Sequence, residues 1–219
     1  MTQDAHNFAR IRVALYTAVI ADVLDALGLR SQVVAPPWQR LAGSGLLVGR
    51  AKTTLWEEID TLDPRPYELE LRAIDECHAD DVFVAAAAGS MRSGIWGELL
   101  STAAQQRGCA GALIDGAVRD VAKMSEMRFP VFARGTCPRD SLHRQRVTAV
   151  DTSVEVGGVR IDPGDLVFAD VDGVVVVPRA VEREALAKAW EKVTAENHVR
   201  DEIRAGASAG EVFRKHGVL

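Results

Sequence analysis

Three residues have types and spacing that suit the handling of a small anion. Glu98 lies in the segment Gly97-Glu98-Leu99-Leu100, and twenty residues later comes the pair Arg119-Asp120. The stretch "GSMRSGIWGELL", from Gly89 to Leu100, is a glycine-punctuated loop that runs into a helix. N–H groups in the first turn of that helix have no intrahelical partners and carry the positive end of the helix dipole. A small carboxylate or phosphate can be held there without a dedicated lysine. The second stretch, "GALIDGAVRDVAKM" from Gly111 to Met124, is an apolar strand that ends in a glycine turn and delivers a planar cation beside a carboxylate. Each feature alone also has a structural explanation. Gly97 can be a turn, Glu98 a complement to the helix dipole, and Arg119-Asp120 a surface ion pair or a helix start. Their convergence on one predicted sheet edge is what points to chemistry, because ligands of open α/β sheets gather at the carboxyl ends of the strands.

Other groupings are weaker. The histidines His6, His78, His143, His198 and His216 show no metal-ligand spacing. Ser90, Ser93 and Ser101 lie near the loop, but no G-x-S-x-G elbow is present. Lys52 and Lys123 are the lysines nearest the predicted site, and Lys123 follows Arg119 by one helical turn, which places it in solvent. Asp170 and Asp172 in "FADVDG" could form a carboxylate pair, although an Asp-Gly turn accounts for Asp172. The charges of "REALAKAWEKVTAENHVRDEIR" read as a solvated helix face. Cys77, Cys109 and Cys137 are an odd, scattered set, unlike a disulfide framework or a zinc site.

The elements that must position the site follow from periodicity. Ile11, Val13, Leu15, Val19, Ile20, Val23, Leu24 and Leu27 predict an N-terminal helix closed by Gly28. Residues 44–56 read as a strand broken by glycine, and 57–80 as a turn plus a surface helix that shapes one wall of the pocket. In the middle third, "DVFVAAAA" (81–88) is a buried strand. "GELLSTAAQQRG" (97–108) is a helix with Leu99, Leu100, Ala103 and Ala104 on one face. "GALID" is a strand, "RDVAKMSEMR" a helix and "PVFAR" a strand. Strands separated by helices of this length predict right-handed crossovers and a parallel sheet. The turns Gly157-Gly158, Pro163-Gly164-Asp165 and Asp172-Gly173 between β-branched runs predict antiparallel hairpins, and 179–205 is helical again. With no linker in 219 residues, the expectation is a single α/β domain over 1–219, with a parallel centre and a hairpin-rich sheet.

With 26 basic and 31 acidic side chains, the formal net charge of −5 gives no electrostatic reason to expect nucleic acid or a membrane as partner. The N-terminus "MTQDAHNFAR" lacks the apolar stretch of a signal peptide, and no apolar run reaches about 18 residues, so a cytoplasmic location is expected.

An acidic residue, a twenty-residue spacer and Arg-Asp together resemble the signature of the 4-hydroxy-4-methyl-2-oxoglutarate aldolase family. That family is also called RraA-like, after regulators of ribonuclease activity that share the fold. "TAVIADVLDALG", "WGELLSTAAQQRGCAGALIDGAVRD", "FPVFARG" and "VGGVRIDPGDLVFADVDGVVVVP" carry the resemblance over most of the chain. It implies a swivelling β/β/α fold, like that of phosphohistidine domains, assembled as a homotrimer or hexamer. It also implies a carbon–carbon lyase that releases pyruvate from 4-hydroxy-2-oxo diacids, decarboxylates oxaloacetate and uses Mg2+ or Mn2+. Carried over residue by residue, Asp120 is the metal ligand, Arg119 contacts substrate, and Gly97, Glu98, Leu99 and Leu100 hold its carboxylate through backbone N–H groups. Glu98 and, from the C-terminal helix of a neighbouring subunit, Glu196 order water around the metal. One carboxylate plus waters suits magnesium, and a 2-oxo acid can chelate it. Glutamate at position 98 replaces the family's aspartate, which shifts the carboxylate by one carbon–carbon bond. Arg92 could face a second substrate carboxylate or solvent. The alternatives are a non-enzymatic regulator that binds a ribonuclease, or a related lyase acting on a sugar-derived acid.

Overall fold

The computed structural model describes residues 8–217, so Met1–Asn7, with His6 and most of the leader region discussed above, lie outside it. The chain opens with α1 (Phe8–Ala14) and α2 (Thr17–Ala26), followed by β1 (Gln39–Ala42), β2 (Leu47–Glu58), α3 (Glu68–Asp75) and β3 (Asp81–Trp96). Next come α4 (Glu98–Gln106), β4 (Gly111–Val118), α5 (Val121–Met124), β5 (Val131–Thr136) and β6 (Gln145–Val150). The remainder is β7 (Val154–Val156), β8 (Val159–Ile161), β9 (Leu166–Ala169), β10 (Val174–Val177), α6 (Glu182–Arg204) and α7 (Ala209–His216).

One eight-stranded sheet runs in the order β1-β5-β4-β3-β2-β9-β10, with β6 also paired to β2. Its centre, β2-β3-β4-β5, is parallel throughout, as the alternation of strands and helices predicts. β2 is long enough to have two antiparallel partners on one edge. Leu47 to Arg50 pair with β9, and Thr54 to Glu58 pair with β6. The turn chemistry of the last third gives the expected antiparallel pairs β9-β10 and β7-β8. Every residue of β4 is buried, which is why it reads as an unbroken apolar run with no alternation.

Apolar side chains pack on both sides of the sheet. α3 and α4 cover one side over Phe83, Trp96, Ile114 and Phe129. α2 and α6 cover another part over Phe168 and Val175. Burying a side chain the size of Phe or Leu contributes roughly 1.5–3 kcal/mol, so these faces set the sheet's position firmly. Asp170 is not half of a catalytic pair. Its carboxylate accepts the backbone N–H of Thr17 at 2.9 Å and the Thr17 hydroxyl at 2.6 Å, fixing the start of α2.

Several boundaries differ from those the periodicity predicts. The N-terminal helix is two helices, separated between Ala14 and Thr17. β3 does not stop at Ala88 but continues to Trp96 through three register shifts, with Ala88 and Gly89 at positive φ (51° and 71°). The segment 89–96 is therefore an irregular strand rather than a loop. The helix expected at 119–128 is only α5, because the chain turns toward Pro130 after one turn. On α4 the buried positions are Ser101 and Ala104, while Leu99 is 76% exposed. α7 went unpredicted, although Ser208 and Glu211 form a capping box at its start. Among the described residues no helix is long and apolar enough to cross a membrane.

Candidate active site

The site lies where β3 and β4 end together. The backbone N–H of Arg119 donates to Trp96 O at 2.8 Å, tying the end of β4 to the end of β3. Trp96 is anchored in turn. Its ring packs on Phe83 with centroids 4.8 Å apart, and its Nε1–H donates to Ser101 Oγ at 2.8 Å. The Ser101 hydroxyl donates to Gly97 O at 2.9 Å, so the first turn of α4 is held to the strand end. Asp120 adopts a left-handed conformation (φ 59°, ψ 28°), which aspartate tolerates better than most residues and which turns its carboxylate back toward α4. Its Oδ2 lies 3.4 Å from the backbone N of Glu98.

Two glycines allow this approach. A Cβ on Gly94 would stand 2.5 Å from Cys137 O and 2.9 Å from the Arg119 Cβ. A Cβ on Gly97 would stand 2.6 Å from Asp120 Oδ2. Replacing Gly97 by alanine should therefore displace the Asp120 carboxylate while leaving the fold intact. We expect a crystal structure of Gly97→Ala to show Asp120 rotated away from α4, and an unmoved Asp120 would contradict the close fit.

Between these elements opens a cavity of about 310 Å3. Arg119 and Asp120 lie on one wall, Gly97, Leu99 and Leu100 on the α4 side, and Tyr67, Glu70 and Leu71 on the α3 side. Arg119 Nη1 donates to Asp140 Oδ2 at 2.7 Å, and its Nε is 3.7 Å from Asp120 Oδ2, so the guanidinium bridges two carboxylates. Asp140 Oδ1 accepts the Tyr67 hydroxyl at 2.7 Å and the backbone N–H of Leu142 at 2.7 Å. Burial works against the Asp140 carboxylate, but the hydrogen bonds from Tyr67, Leu142 and Arg119 outweigh it and hold this acid below its ordinary range. Tyr67 moves the other way, pushed up to about 12 by burial and then by its bond to Asp140. Glu70 is only 5% exposed, and among the described residues its carboxylate makes no hydrogen bond or ion pair. Burial, aided by Asp140 and opposed by Arg119, pushes its carboxyl up to about 8.

That shift has a consequence for stability. The Glu70 carboxyl, ordinarily at 4.5, stays protonated in the folded chain up to about pH 8. Unfolding therefore releases its proton between those values, and its contribution disfavours the folded state progressively as pH rises through that window. Glu70→Gln removes the ionisation while keeping the shape. At pH 9 the variant should be more stable than the parent by a few kcal/mol (~5 at most, at about 1.4 kcal/mol per unit), and at pH 5 the two should nearly coincide. Thermal melts at both pH values check this, and a gap that does not vary with pH would contradict it.

Not all residues singled out in the sequence face this cavity. Arg119, Asp120, Gly97, Leu99 and Leu100 line it. The Glu98 backbone is at the mouth, but its carboxylate turns along α4 and accepts from Thr102 Oγ1 at 3.0 Å. Glu196 accepts from the Tyr16 hydroxyl and pairs with Lys192 at 3.4 Å within its own chain, and no residue of α6 lines the cavity. Arg92 is paired with Asp60 at 2.5 Å and Glu58 at 3.3 Å, outside the cavity. Lys52 is buried against Asp151 at 2.8 Å. Tyr67, Glu70 and Asp140 were missed as site residues. Tyr67 and Glu70 belong to the irregular 57–80 segment, and Asp140 lies in a loop with no periodic signal, joined to the site by a bridge to Gly94.

The donor set favours a hard cation with few protein ligands. Among the described residues no three His, Cys, Asp or Glu side chains cluster as a metal cage. Asp120 keeps one oxygen open. Oδ2 faces Arg119 and the α4 backbone, Oδ1 accepts no hydrogen bond among the described residues, and the side chain is 41% exposed. With Gly97 leaving room beside it, that carboxylate fits a magnesium- or manganese-type ion that keeps most of its waters.

Comparison with known proteins bears on the family and the fold. Residues 17–176 match the family model described as RraA-like, Aldolase/RraA. A relative in Halalkalibacterium halodurans named "Putative 4-hydroxy-4-methyl-2-oxoglutarate aldolase" is 33% identical over 192 residues, covering 88% of this chain and 86% of the relative. A crystal structure of an uncharacterized protein from Pseudomonas syringae superimposes with a TM-score of 0.83 at 25% identity, covering 97% of this chain and 99% of the other. Streptomyces coelicolor RraAS2, described as an unusual member of the RNase ES inhibitor RraA family, superimposes with a TM-score of 0.78 at 28% identity over 91% and 98% of the two chains. The sheet with its parallel centre, the Arg119-Asp120 pair at the end of β4 and these matches lead to one conclusion: the chain belongs to the RraA-like family.

Proposed function

We propose that the protein is a divalent-cation-dependent lyase. It would cleave 4-hydroxy-2-oxo acids of the 4-hydroxy-4-methyl-2-oxoglutarate type to pyruvate and decarboxylate oxaloacetate at the same site. The observation that carries this reading is the placement of Arg119 and Asp120 on one cavity wall against the amino end of α4. The name of the Halalkalibacterium halodurans relative supports the same class of reaction. A cation held by Asp120, when bound, would supply Lewis-acid stabilisation of negative charge on the keto oxygen.

The chain's own residues do the rest. The N–H groups of Leu99 and Leu100 precede the first intrahelical bond, from Ser101 N to Gly97 O, and would hold the substrate carboxylate together with the Glu98 N–H, whose present long contact is to Asp120 Oδ2. Arg119, fixed by Asp140, presents its remaining N–H groups toward the C4 oxygen, where they favour the alkoxide that forms as water takes the hydroxyl proton. Glu98 would order that water only by giving up the Thr102 hydroxyl that its carboxylate now accepts. Once the C3–C4 bond breaks, or oxaloacetate loses carbon dioxide, the same pyruvate enolate remains and takes a proton at C3. We place the working unit in a homotrimer or hexamer. Because Glu196 is engaged within its own chain, this reading does not depend on its reaching a neighbour.

The test is pyruvate release, measured with magnesium present, from oxaloacetate and from 4-hydroxy-4-methyl-2-oxoglutarate. Release from both is expected, and release from neither would overturn the reading. Likeness to RraAS2 supports a second reading, regulation of a ribonuclease. Recovery of a ribonuclease on the immobilised protein, together with no lyase activity on any 2-oxo acid, would favour it.

A further inference from the structure

We infer that Glu70 is the group that exchanges a proton with C3 of the pyruvate unit in this cavity, and that it communicates with solvent through a second cavity behind it. The inference rests on the lyase reading above and assigns a catalytic role to a residue that reading does not use. Three observations carry it. Glu70 is 5% exposed, and among the described residues no hydrogen bond or ion pair engages its carboxylate, which leaves that group available to whatever occupies the cavity surface it reaches. It lines the cavity that holds Arg119 and Asp120. It also lines a separate cavity of about 230 Å3, where Asp63, Arg65, Glu68, Arg146 and Thr148 supply polar walls open to water.

The charged and titratable groups on the walls of the two cavities it lines are Arg119, Asp120 and Asp140 from beyond β4, Asp63, Arg65, Tyr67 and Glu68 from its own segment, and Arg146 from β6. The α4 wall contributes Gly97, Leu99 and Leu100, none of which titrates. A guanidinium does not give up a proton in the working pH range, and the Tyr67 hydroxyl is pushed up to about 12 by burial and its bond to Asp140, so neither is a proton-transfer group near neutral pH. A carboxyl poised at about 8 keeps its proton at neutral pH and can still give it up, the condition for efficient proton transfer.

The steps balance. In retro-aldol cleavage water takes the C4 hydroxyl proton, the C3–C4 bond breaks, and its electron pair becomes the enolate. The Glu70 carboxyl gives its proton to C3, and the carboxylate regains one from solvent through the second cavity. Decarboxylation of oxaloacetate consumes one proton by the same last step. In reverse, the Glu70 carboxylate removes a C3 proton from pyruvate and returns a deuteron in heavy water.

The deciding experiment follows pyruvate methyl exchange in heavy water by NMR alongside oxaloacetate consumption, both with magnesium, for the parent and E70Q. C–C cleavage of oxaloacetate forms the enolate without the help of Glu70, so consumption should fall less than ~10-fold while exchange falls ~100-fold or more, the range typical for removal of a general acid–base group. The parent exchange rate should rise with pH through about 8. That profile, and a protonated-carboxyl infrared band that titrates in the parent and is absent in E70Q, also decide the matter if E70Q folds poorly. A parent that consumes oxaloacetate and exchanges pyruvate, with E70Q exchanging equally well or with a flat parent profile through pH 8, overturns this inference alone. A parent that does neither overturns the lyase reading beneath it.

Discussion

Arg119→Lys should lower kcat for pyruvate release by about 10²–10⁴-fold, in the range seen when a preorganised donor or a positioned proton-transfer group is lost. The charge survives this substitution, but the geometry does not. Arg119 spans two carboxylates, with Nη1 on Asp140 and Nε toward Asp120, and still has N–H groups directed at the cavity. An ammonium is a point charge on a flexible stem, and it cannot hold Asp140 and keep a fixed donor at C4 together. The effect should fall mainly on kcat if, as proposed, the amino end of α4 holds the substrate carboxylate, because the change leaves that end alone. Steady-state kinetics on oxaloacetate, with a melting curve as folding control, measure it. Near-normal turnover in a folded variant would remove Arg119 from the chemistry.

Asp120→Asn should cost at least as much. The amide matches the carboxylate in size and can still accept from the Glu98 N–H, so the turn at φ 59° should persist. What it lacks is the negative charge that suits a hard cation. Loss of that charge should remove several kcal/mol of transition-state stabilisation, on the order of 10³-fold in rate. Calorimetric titration should show Mn2+ binding to the parent and none to the variant at the same concentrations. Equal binding by both would move the cation site away from Asp120.

The sequence and the structure agree best where one physical rule dominates. β4 is legible because an element buried on both faces must be apolar throughout, and the hairpins of the last third because glycine and aspartate turns admit few geometries. Arg119, Asp120 and Gly97 were found for a related reason: strand ends and helix starts in this architecture are where polar groups must gather. The rest of the site was hidden because its cause is tertiary. β3 runs on past Ala88 through bulges that no period of two reveals, and those bulges bring Gly94 against the loop that carries Asp140. Glu70 reads as one more surface carboxylate in an acidic helix and is buried only because α3 folds against β6 and the cavity. The direction of the Glu98 side chain was equally hidden, because it is set by a hydrogen bond along its own helix to Thr102.

The central claim is that a single aspartate, Asp120, holds the cation on which cleavage depends. Its most direct test is pyruvate release from oxaloacetate by the parent protein after treatment with a chelator, followed by re-addition of magnesium or manganese. The account predicts that release falls to the solution background with chelator and returns in full with either ion. Enzymatic release that continues unchanged in excess chelator would contradict it.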